Sequence, residues 1–194
     1  VSKAGKKQFR CAETEKFPHV TFFFNDYREE PFPGEERYMA QSPKDVATYD
    51  QKPQMAAEEV TKATVEAIFS KKYSLLVVNF ANGDMVGHTG SLPAAIAAVE
   101  TVDKSVQAVL KAVDSVNGVA LITADHGNCE QMYDPETGSP HTSHTLYDVE
   151  ALLYGGKNLK LKPAGRLADI APSLMDLLGL GIPKEMTGSS LIVR

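Results

Sequence analysis

Aspartate and histidine residues at three places in the chain have the types and spacing of metal ligands. They are Asp84 with His88, Asp125 with His126, and His144 with His141. Each place lies at one end of an apolar run typical of a β-strand. Carboxylate and imidazole groups together suit borderline-to-hard divalent cations such as zinc, manganese or iron. The sequence therefore predicts a metal site where the ends of successive strands meet.

The conjunction of these places is more informative than any one of them. Taken singly, each is explained more simply as a polar turn, since Asp, Gly and Asn favour turns. Yet four of the five histidines fall in these three places, and scattered core histidines would not do that. Five ligands exceed one tetrahedral set, which favours two metal ions.

The spacing within each place leaves alternatives open. Asp84 and His88 bind the same ion if the loop between them turns once. Adjacent residues point in different directions on an extended chain, so Asp125 and His126 serve either two ions or one ion at a distorted turn. Spacing does not rank His141 against His144. One of the two is then a ligand, and the other contacts substrate or lies on the surface.

Strand-like and helix-like patterns alternate along the chain and place these residues at strand ends. Strands are predicted at 19–24, 74–80, 119–123 and 151–154, and helices at 55–70, 91–113 and 169–178. Residues 1–18 are predicted to be irregular, and 25–54, rich in Pro and Gly, to form a long loop. This alternation predicts an α/β fold with a mostly parallel sheet and helices on both faces. Ligands of such sheets bind at the carboxyl ends of the strands.

Bulk composition excludes several classes of function. The 194 residues are enough for one sizeable core, and the net charge of −5 argues against a general nucleic-acid binder. No apolar stretch has the length of a membrane helix, so no membrane role is expected. The two cysteines, Cys11 and Cys129, are expected to be free thiols in a reducing cytoplasm. Cys129 is near the predicted site and is expected to be a spectator.

Several ordered motifs resemble one family over nearly the whole chain. They are 12–16, 19–25, 33–37, 42–44, 48–50, 79–89, 123–128, 141–145 and 184–188. These segments resemble the cofactor-independent (2,3-bisphosphoglycerate-independent) phosphoglycerate mutases of the alkaline phosphatase superfamily. The resemblance implies a partial alkaline-phosphatase-like domain.

The resemblance also implies residue roles and partners. Asp84, His88 and His144 resemble the three ligands of one metal, and Asp125 and His126 resemble two ligands of another. The metals would be two divalent ions, with manganese expected. Lys16 resembles the family's catalytic, substrate-binding lysine that contacts the transferring phosphoryl group. The implied substrate is a small phosphoglycerate, interconverted between its 3- and 2-phospho forms through a phosphoserine, and the implied parent enzyme is a monomer.

The departures from the family predict an incomplete enzyme. No segment resembles the one that carries the nucleophilic serine and a further ligand aspartate, nor the inserted domain whose arginines clamp the glycerate. Residues 1–194 are thus expected to be one domain, the C-terminal portion of the phosphatase-like domain, and inactive alone. The start at Val1 adds to the expectation of a fragment. The alternatives are another phosphomutase of the superfamily, such as a phosphopentomutase, a phosphate-ester hydrolase, or a non-catalytic module.

Overall fold

Three small sheets organise the fold in the computed structural model, which describes all 194 residues. The first is parallel, in the order β2–β1–β3, with β1 at Gln8–Glu13, β2 at Glu35–Ala40 and β3 at Leu75–Asn79. The other two are antiparallel pairs, β4 (Val119–Thr123) with β5 (Ala151–Gly155) and β6 (Lys160–Leu161) with β7 (Ile192–Val193). The predicted α/β class is confirmed. The later strands, however, pair in antiparallel fashion.

Five helices accompany the strands. They are α1 (Phe17–Val20), α2 (Ala57–Phe69), α3 (Asn82–Gly87), α4 (Leu92–Ser115) and α5 (Ile170–Leu177). The three predicted helices correspond to α2, α4 and α5, with ends within two residues of those expected. No helix combines the length and the apolar character needed to cross a membrane.

The core lies where α2 and α4 pack against the strands. Phe9 and Cys11 of β1 contact Val60 of α2 in one buried cluster. Ile68 of α2 meets Ala112 and Val113 of α4 in another, against which Leu76 of β3 and Ala120 of β4 also pack. Full burial of an aliphatic side chain of this size stabilises a fold by about 1.5–3 kcal/mol. These clusters fix β3 and β4, whose carboxyl ends lead into the predicted metal ligands.

The strand predicted at 19–24 is wrong. The chain there forms α1 and then a series of turns, in which the N–H of Phe23 donates to the carbonyl of Pro18 at 2.9 Å and that of Asn25 to Thr21 at 2.9 Å. The aromatic run misled the prediction because its rings pack against one another. The ring of Phe22 lies edge-on to those of Phe23 and Tyr27, with centroids 5.3 Å and 5.4 Å apart.

The two segments predicted to lack regular structure each contain a strand, and both predictions are wrong. β1 is central in its sheet and buried along its whole length, yet it includes Gln8, Arg10 and Glu13. Their polarity hid the strand. Glu13 accepts from Ser42 across the fold, and Arg10 donates to Gln8 two residues earlier in the same strand. β2 lies in the supposed loop 25–54, where Pro31, Pro33 and Gly34 lie directly before it and Pro43 and Pro53 follow it.

Candidate metal centre

Asp84 and His88 lie on one face of a helical turn directly after β3. The N–H of His88 donates to the carbonyl of Asp84 at 3.0 Å, which closes the last turn of α3. Residues four apart on a helix are neighbours, so both side chains point the same way. Nε2 of His88 lies 3.0 Å from Oδ1 of Asp84. The single turn that the sequence required for a shared ion is therefore present.

His144 completes a compact set of donor atoms. Its Nε2 lies 2.9 Å from Oδ1 of Asp84 and 3.1 Å from Nε2 of His88. An isolated β-bridge between Gly127 and Thr145 ties the His144 loop to the end of β4. One carboxylate oxygen and two imidazole nitrogens at mutual distances of about 3 Å have the spacing of ligands around one small cation.

The hydrogen bonding of His88 fits a metal-ligating tautomer. Its Nδ1 lies 2.7 Å from the carbonyl of Thr142, and a carbonyl only accepts, so Nδ1 carries the proton. In a neutral ring Nε2 then turns its lone pair toward Oδ1 of Asp84. Two lone pairs 3.0 Å apart repel unless a cation or a proton lies between them. Orientation by a backbone carbonyl is the usual arrangement of a metal-binding histidine.

His126 joins this cluster, whereas Asp125 lies at its rim. The ligand atoms of Asp84, His126 and His144 all lie within 4.8 Å of one another. The ring of His126 stacks on that of His144 at a centroid distance of 3.6 Å. Asp125 is half exposed, with Oδ1 3.6 Å from Nε2 of His126. The structure thus brings four of the five predicted ligands together. That any of them binds metal stays a prediction.

Lys16 reaches the same carboxylate from β1. It ends the single 3₁₀ turn Thr14–Lys16 after that strand, and its buried Nζ donates to Oδ2 of Asp84. Burial alone would raise the pKa of Asp84. Hydrogen bonds from Lys16 and Asn128, with the charge of Lys16, outweigh it and lower that pKa to about 2. Asp84 is therefore a carboxylate throughout the physiological pH range, as a metal ligand must be.

Asn128 is a residue of the site that sequence reasoning missed. Its Nδ2 donates to Oδ1 of Asp84 at 2.8 Å and to the carbonyl of Asp84 at 3.3 Å, and the residue is buried. Gly87 leaves the room it needs, because a Cβ there would lie 2.2 Å from Oδ1 of Asn128. The sequence carried a weak signal, since Asn128 follows Asp125-His126-Gly127, but a turn explained it equally well.

The fifth histidine, His19, also lies near the centre. Burial and the charge of Lys16 lower the pKa of His19, while the charges of Asp125 and Asp84 oppose that effect. Its Nδ1 is buried without a hydrogen-bond partner. No pattern in the sequence indicated this proximity, because His19 was assigned to a strand. The turn that carries Lys16 brings it there.

Two residues whose roles the sequence left open lie beside the cluster without joining it. The backbone N–H of His141 donates to the carbonyl of Met132 at 2.9 Å, and its side chain lines a cavity of about 390 Å³ together with His144. Sγ of Cys129 donates to the carbonyl of Gly83 at 2.8 Å, and burial raises the pKa of its thiol. Cys129 thus supports the first turn of α3, which carries Asp84.

Comparison with known proteins identifies similar chains. The family model of the metalloenzyme superfamily matches residues 1–182. The chain is 57% identical over 196 residues to a 2,3-bisphosphoglycerate-independent phosphoglycerate mutase of Rhodopirellula baltica, covering 99% of this chain and 36% of the relative. It is 57% identical over 199 residues to that of Chloroflexus aggregans, covering 100% of this chain and 37% of the relative.

A solved structure agrees with the sequence comparisons. The crystal structure of Leishmania mexicana phosphoglycerate mutase at low cobalt concentration superposes with a TM-score of 0.90 and 37% identity, covering 99% of this chain and 38% of that one. The resemblance predicted from the motifs is confirmed. The chain spans a little over a third of the length of these relatives.

Proposed function

Because the chain belongs to the metalloenzyme superfamily, we propose that it is the metal-binding part of a cofactor-independent phosphoglycerate mutase. The enzyme would interconvert 3-phosphoglycerate and 2-phosphoglycerate, an isomerase reaction of glycolysis and gluconeogenesis. The 194 residues would be the C-terminal portion of its phosphatase-like domain and inactive alone. The remaining length of the relatives would supply the nucleophilic serine and the glycerate-binding domain.

One observation carries the proposal. Oδ1 of Asp84 faces the Nε2 atoms of His88 and His144 at 3.0 Å and 2.9 Å, while Oδ2 of the same carboxylate accepts from Lys16. A candidate metal-ligand set therefore adjoins a buried ammonium group. A divalent ion held there would, together with that ammonium, concentrate positive charge that favours a dianionic phosphoryl group.

The proposed metals are two divalent ions, with manganese expected. Asp84, His88 and His144 would hold one, and Asp125 and His126 would contribute to the other, whose remaining ligands would come from elsewhere in the protein. When bound, the metals supply positive charge that stabilises the phosphoryl oxygens and the attacking and leaving oxygens. In the structure His126 lies beside the first ligand set. A small shift of its loop would move its side chain away from that set and toward the second metal.

The chain's own residues would bind and orient. Lys16 would place a positive charge against the transferring phosphoryl group, and its low exposure keeps water from competing for the ammonium. Asn128 would hold the Asp84 carboxylate in one orientation through its 2.8 Å hydrogen bond. The carbonyl of Thr142 would keep the proton on Nδ1 of His88 and leave Nε2 free as a ligand. We propose a small phosphorylated acid as the partner, with neither nucleic acid nor membrane involved, and we expect the parent enzyme to be a monomer in the cytoplasm.

Metal binding by the chain tests the first half of the proposal. Calorimetric titration with Mn²⁺ is expected to show one tight site per chain, which Asp84→Asn or His144→Ala weakens by at least about tenfold. Asp103→Asn, an exposed substitution on α4, is the matched control and is expected to leave the affinity unchanged. Absence of stoichiometric Mn²⁺ would contradict an autonomous site.

A chimera tests the activity. The matching stretch of 196 residues in the Rhodopirellula baltica relative is replaced by this chain, and conversion of 3-phosphoglycerate is compared with that of ribose phosphate. The chimera is expected to convert phosphoglycerate only, and Lys16→Met to reduce its kcat by about a hundredfold or more. A folded chimera that prefers ribose phosphate would assign the chain to a different phosphomutase.

A further inference from the structure

The contact between Lys16 and Asp84 joins two short elements that are weak by themselves. Lys16 ends a 3₁₀ turn of three residues that no side chain caps, and Asp84 lies in α3, a helix of six residues. Isolated turns and helices of these lengths are unstable in water. A lysine side chain also loses much rotamer freedom when its ammonium is held in one place. The pairing of β1 with β3 fixes the strands from which both elements emerge, but the turn and the helix beyond the strand ends need further contacts.

Residues 41–56, here called the strap, bind the Lys16 turn at one end. Oγ of Ser42 donates to Oε2 of Glu13 at 2.9 Å and accepts from the backbone N–H of Glu15 at 3.4 Å. The backbone N–H of Ser42 donates to Oγ1 of Thr14 at 3.1 Å. Ser42 is buried, and Glu13 is fully buried. The three residues that precede Lys16 are therefore all bonded to one serine.

A second contact secures the same end. The hydroxyl of Tyr49 donates to Oε1 of Glu15 at 2.6 Å. Nζ of Lys52 lies 3.1 Å from Oδ2 of Asp45, an ion pair that closes the middle of the strap on itself. The only helical element in the strap is the 3₁₀ turn Tyr49–Gln51, yet these contacts give it a defined path.

The other end of the strap binds the helix that carries Asp84. Nδ2 of Asn82 donates to the carbonyls of Pro53 and Gln54 at 2.8 Å and 2.9 Å, and Asn82 is fully buried. Met55 packs with Ala81 and Val86 in one buried apolar cluster. The start of α3 is thus bonded to the strap two residues before Asp84.

We propose that the strap is a positioning element that sets the Lys16–Asp84 contact, with Ser42 and Asn82 as the positioning residues at its two ends. The functional part of this inference rests on the role proposed for Lys16. It assigns a purpose to the Ser42-Pro43-Lys44 and Thr48-Tyr49-Asp50 motifs, which touch none of the predicted ligands. Ser42 and Asn82 act through Lys16 and Asp84 and do not contact the phosphoryl group themselves.

The test compares Ser42→Ala, Ser42→Thr and Asn82→Ala in the full 194-residue chain. Two quantities are measured: amide hydrogen exchange at Glu15 and Lys16, and binding of inorganic phosphate at saturating Mn²⁺. Ser42→Ala is expected to speed exchange at both amides by about tenfold and to weaken phosphate binding by about threefold to tenfold, the effect of losing one or two buried hydrogen bonds. Ser42→Thr keeps the hydroxyl and is expected to restore both.

Asn82→Ala and a control outside the strap separate positioning from general stability. Asn82 touches neither Glu15 nor Lys16, yet its loss is expected to speed exchange at both. Ser173 is the matched control, since this buried serine donates to the carbonyl of Asp169 at 2.7 Å and accepts from the N–H of Leu191 at 2.8 Å. Ser173→Ala is expected to lower the unfolding temperature without a selective change at the Lys16 turn. Tyr49→Phe, which removes one exposed hydroxyl, replaces any strap variant that fails to fold.

The outcomes are distinguishable. The inference is overturned if Ser42→Ala and Asn82→Ala match Ser173→Ala both in amide exchange at Glu15 and Lys16 and in phosphate affinity. If Lys16→Met leaves phosphate affinity unchanged, the proposed role of Lys16 fails, and the exchange rates alone then decide whether the strap positions the turn.

Discussion

Arg10 and Arg37 are register partners on the neighbouring parallel strands β1 and β2. Between them they have one buried carboxylate, Glu35, which accepts from Nε of Arg37 at 2.6 Å. Nε and Nη1 of Arg10 and Nη2 of Arg37 are buried without partners. Two guanidinium groups thus share a single counter-charge, and the two arginines are not equivalent.

This asymmetry predicts different effects of removing each arginine. Arg37→Met removes the guanidinium that donates to the buried Glu35 carboxylate and is expected to lower the free energy of unfolding by about 3 kcal/mol, the lower end for breaking a buried pair. Arg10→Met removes a group with two unpaired nitrogens and is expected to cost less than about 1 kcal/mol. Urea unfolding of both variants measures the difference. Equal losses would show that Arg10 is paired with Glu35 as strongly as Arg37 is.

Asp169 predicts a pH-dependent contribution to stability. Hydrogen bonds from the backbone N–H groups of Ser189 and Arg166, each 2.8 Å long, lower the pKa of Asp169 below its ordinary value of about 3.9. A group with a depressed folded-state pKa stabilises the fold above its unfolded pKa, and this stabilisation is lost as the pH falls. Asp169→Asn is therefore expected to be less stable than the wild type at pH 7, by a margin that shrinks below about pH 4.

Urea titrations at pH 7, 5, 4 and 3 follow that margin for the wild type and Asp169→Asn. The amide keeps one acceptor oxygen but turns an NH₂ group toward a backbone N–H, so the variant loses one of the two bonds at every pH. A margin that is the same at pH 3 and pH 7 would show that ionisation of Asp169 does not contribute.

The close approach of Gly87 to Asn128 predicts that a larger residue at position 87 weakens metal binding. A Cβ at Gly87 would lie 2.2 Å from Oδ1 of Asn128, so Gly87→Ala is expected to displace that amide from Asp84 and weaken Mn²⁺ binding by about tenfold. Gly83→Ala in the same helix is the matched control, because nothing lies within 4 Å of its Cβ. It is expected to leave Mn²⁺ affinity unchanged and to raise stability by up to about 1 kcal/mol. Equal Mn²⁺ affinities for both variants would show that Asn128 does not contribute to metal binding.

The site was predictable where chemistry-bearing residues adjoin strong local patterns. Asp84 and His88 follow an apolar run, and four-residue spacing places them together on any helical turn. Asn128 was not predictable in this way, because an asparagine after a strand is common in turns and its contact with Asp84 depends on how two loops pack. Which of the two predicted metals His126 would bind likewise depends on loop geometry, and no periodicity in the sequence encodes that geometry.

The fold shows the same division between local and tertiary causes. The apolar spacing of α2 and α4 was sufficient to predict both helices. β1 was missed because half its residues are polar. Their burial is tolerable because Glu13 pairs with Ser42, and Arg10 with Gln8 and Asn25. Ser42 and Asn25 lie far from β1 in the sequence and are brought to it by tertiary structure, so a strand of this composition is not evident from the sequence alone.

The position of Lys16 predicts that its replacement changes the affinities for Mn²⁺ and for phosphate in opposite directions. Its ammonium is bonded to Oδ2 of Asp84, so it competes with a cation for that carboxylate and repels it. Lys16→Met is expected to bind Mn²⁺ about threefold to tenfold more tightly, because one neighbouring positive charge is lost, and to bind inorganic phosphate correspondingly more weakly at saturating Mn²⁺. Lys16→Arg keeps the charge and is expected to leave Mn²⁺ affinity near that of the wild type. Calorimetric titrations of the three proteins measure both affinities. Weaker Mn²⁺ binding by Lys16→Met would mean that the ammonium organises the ligand set and does not compete for it.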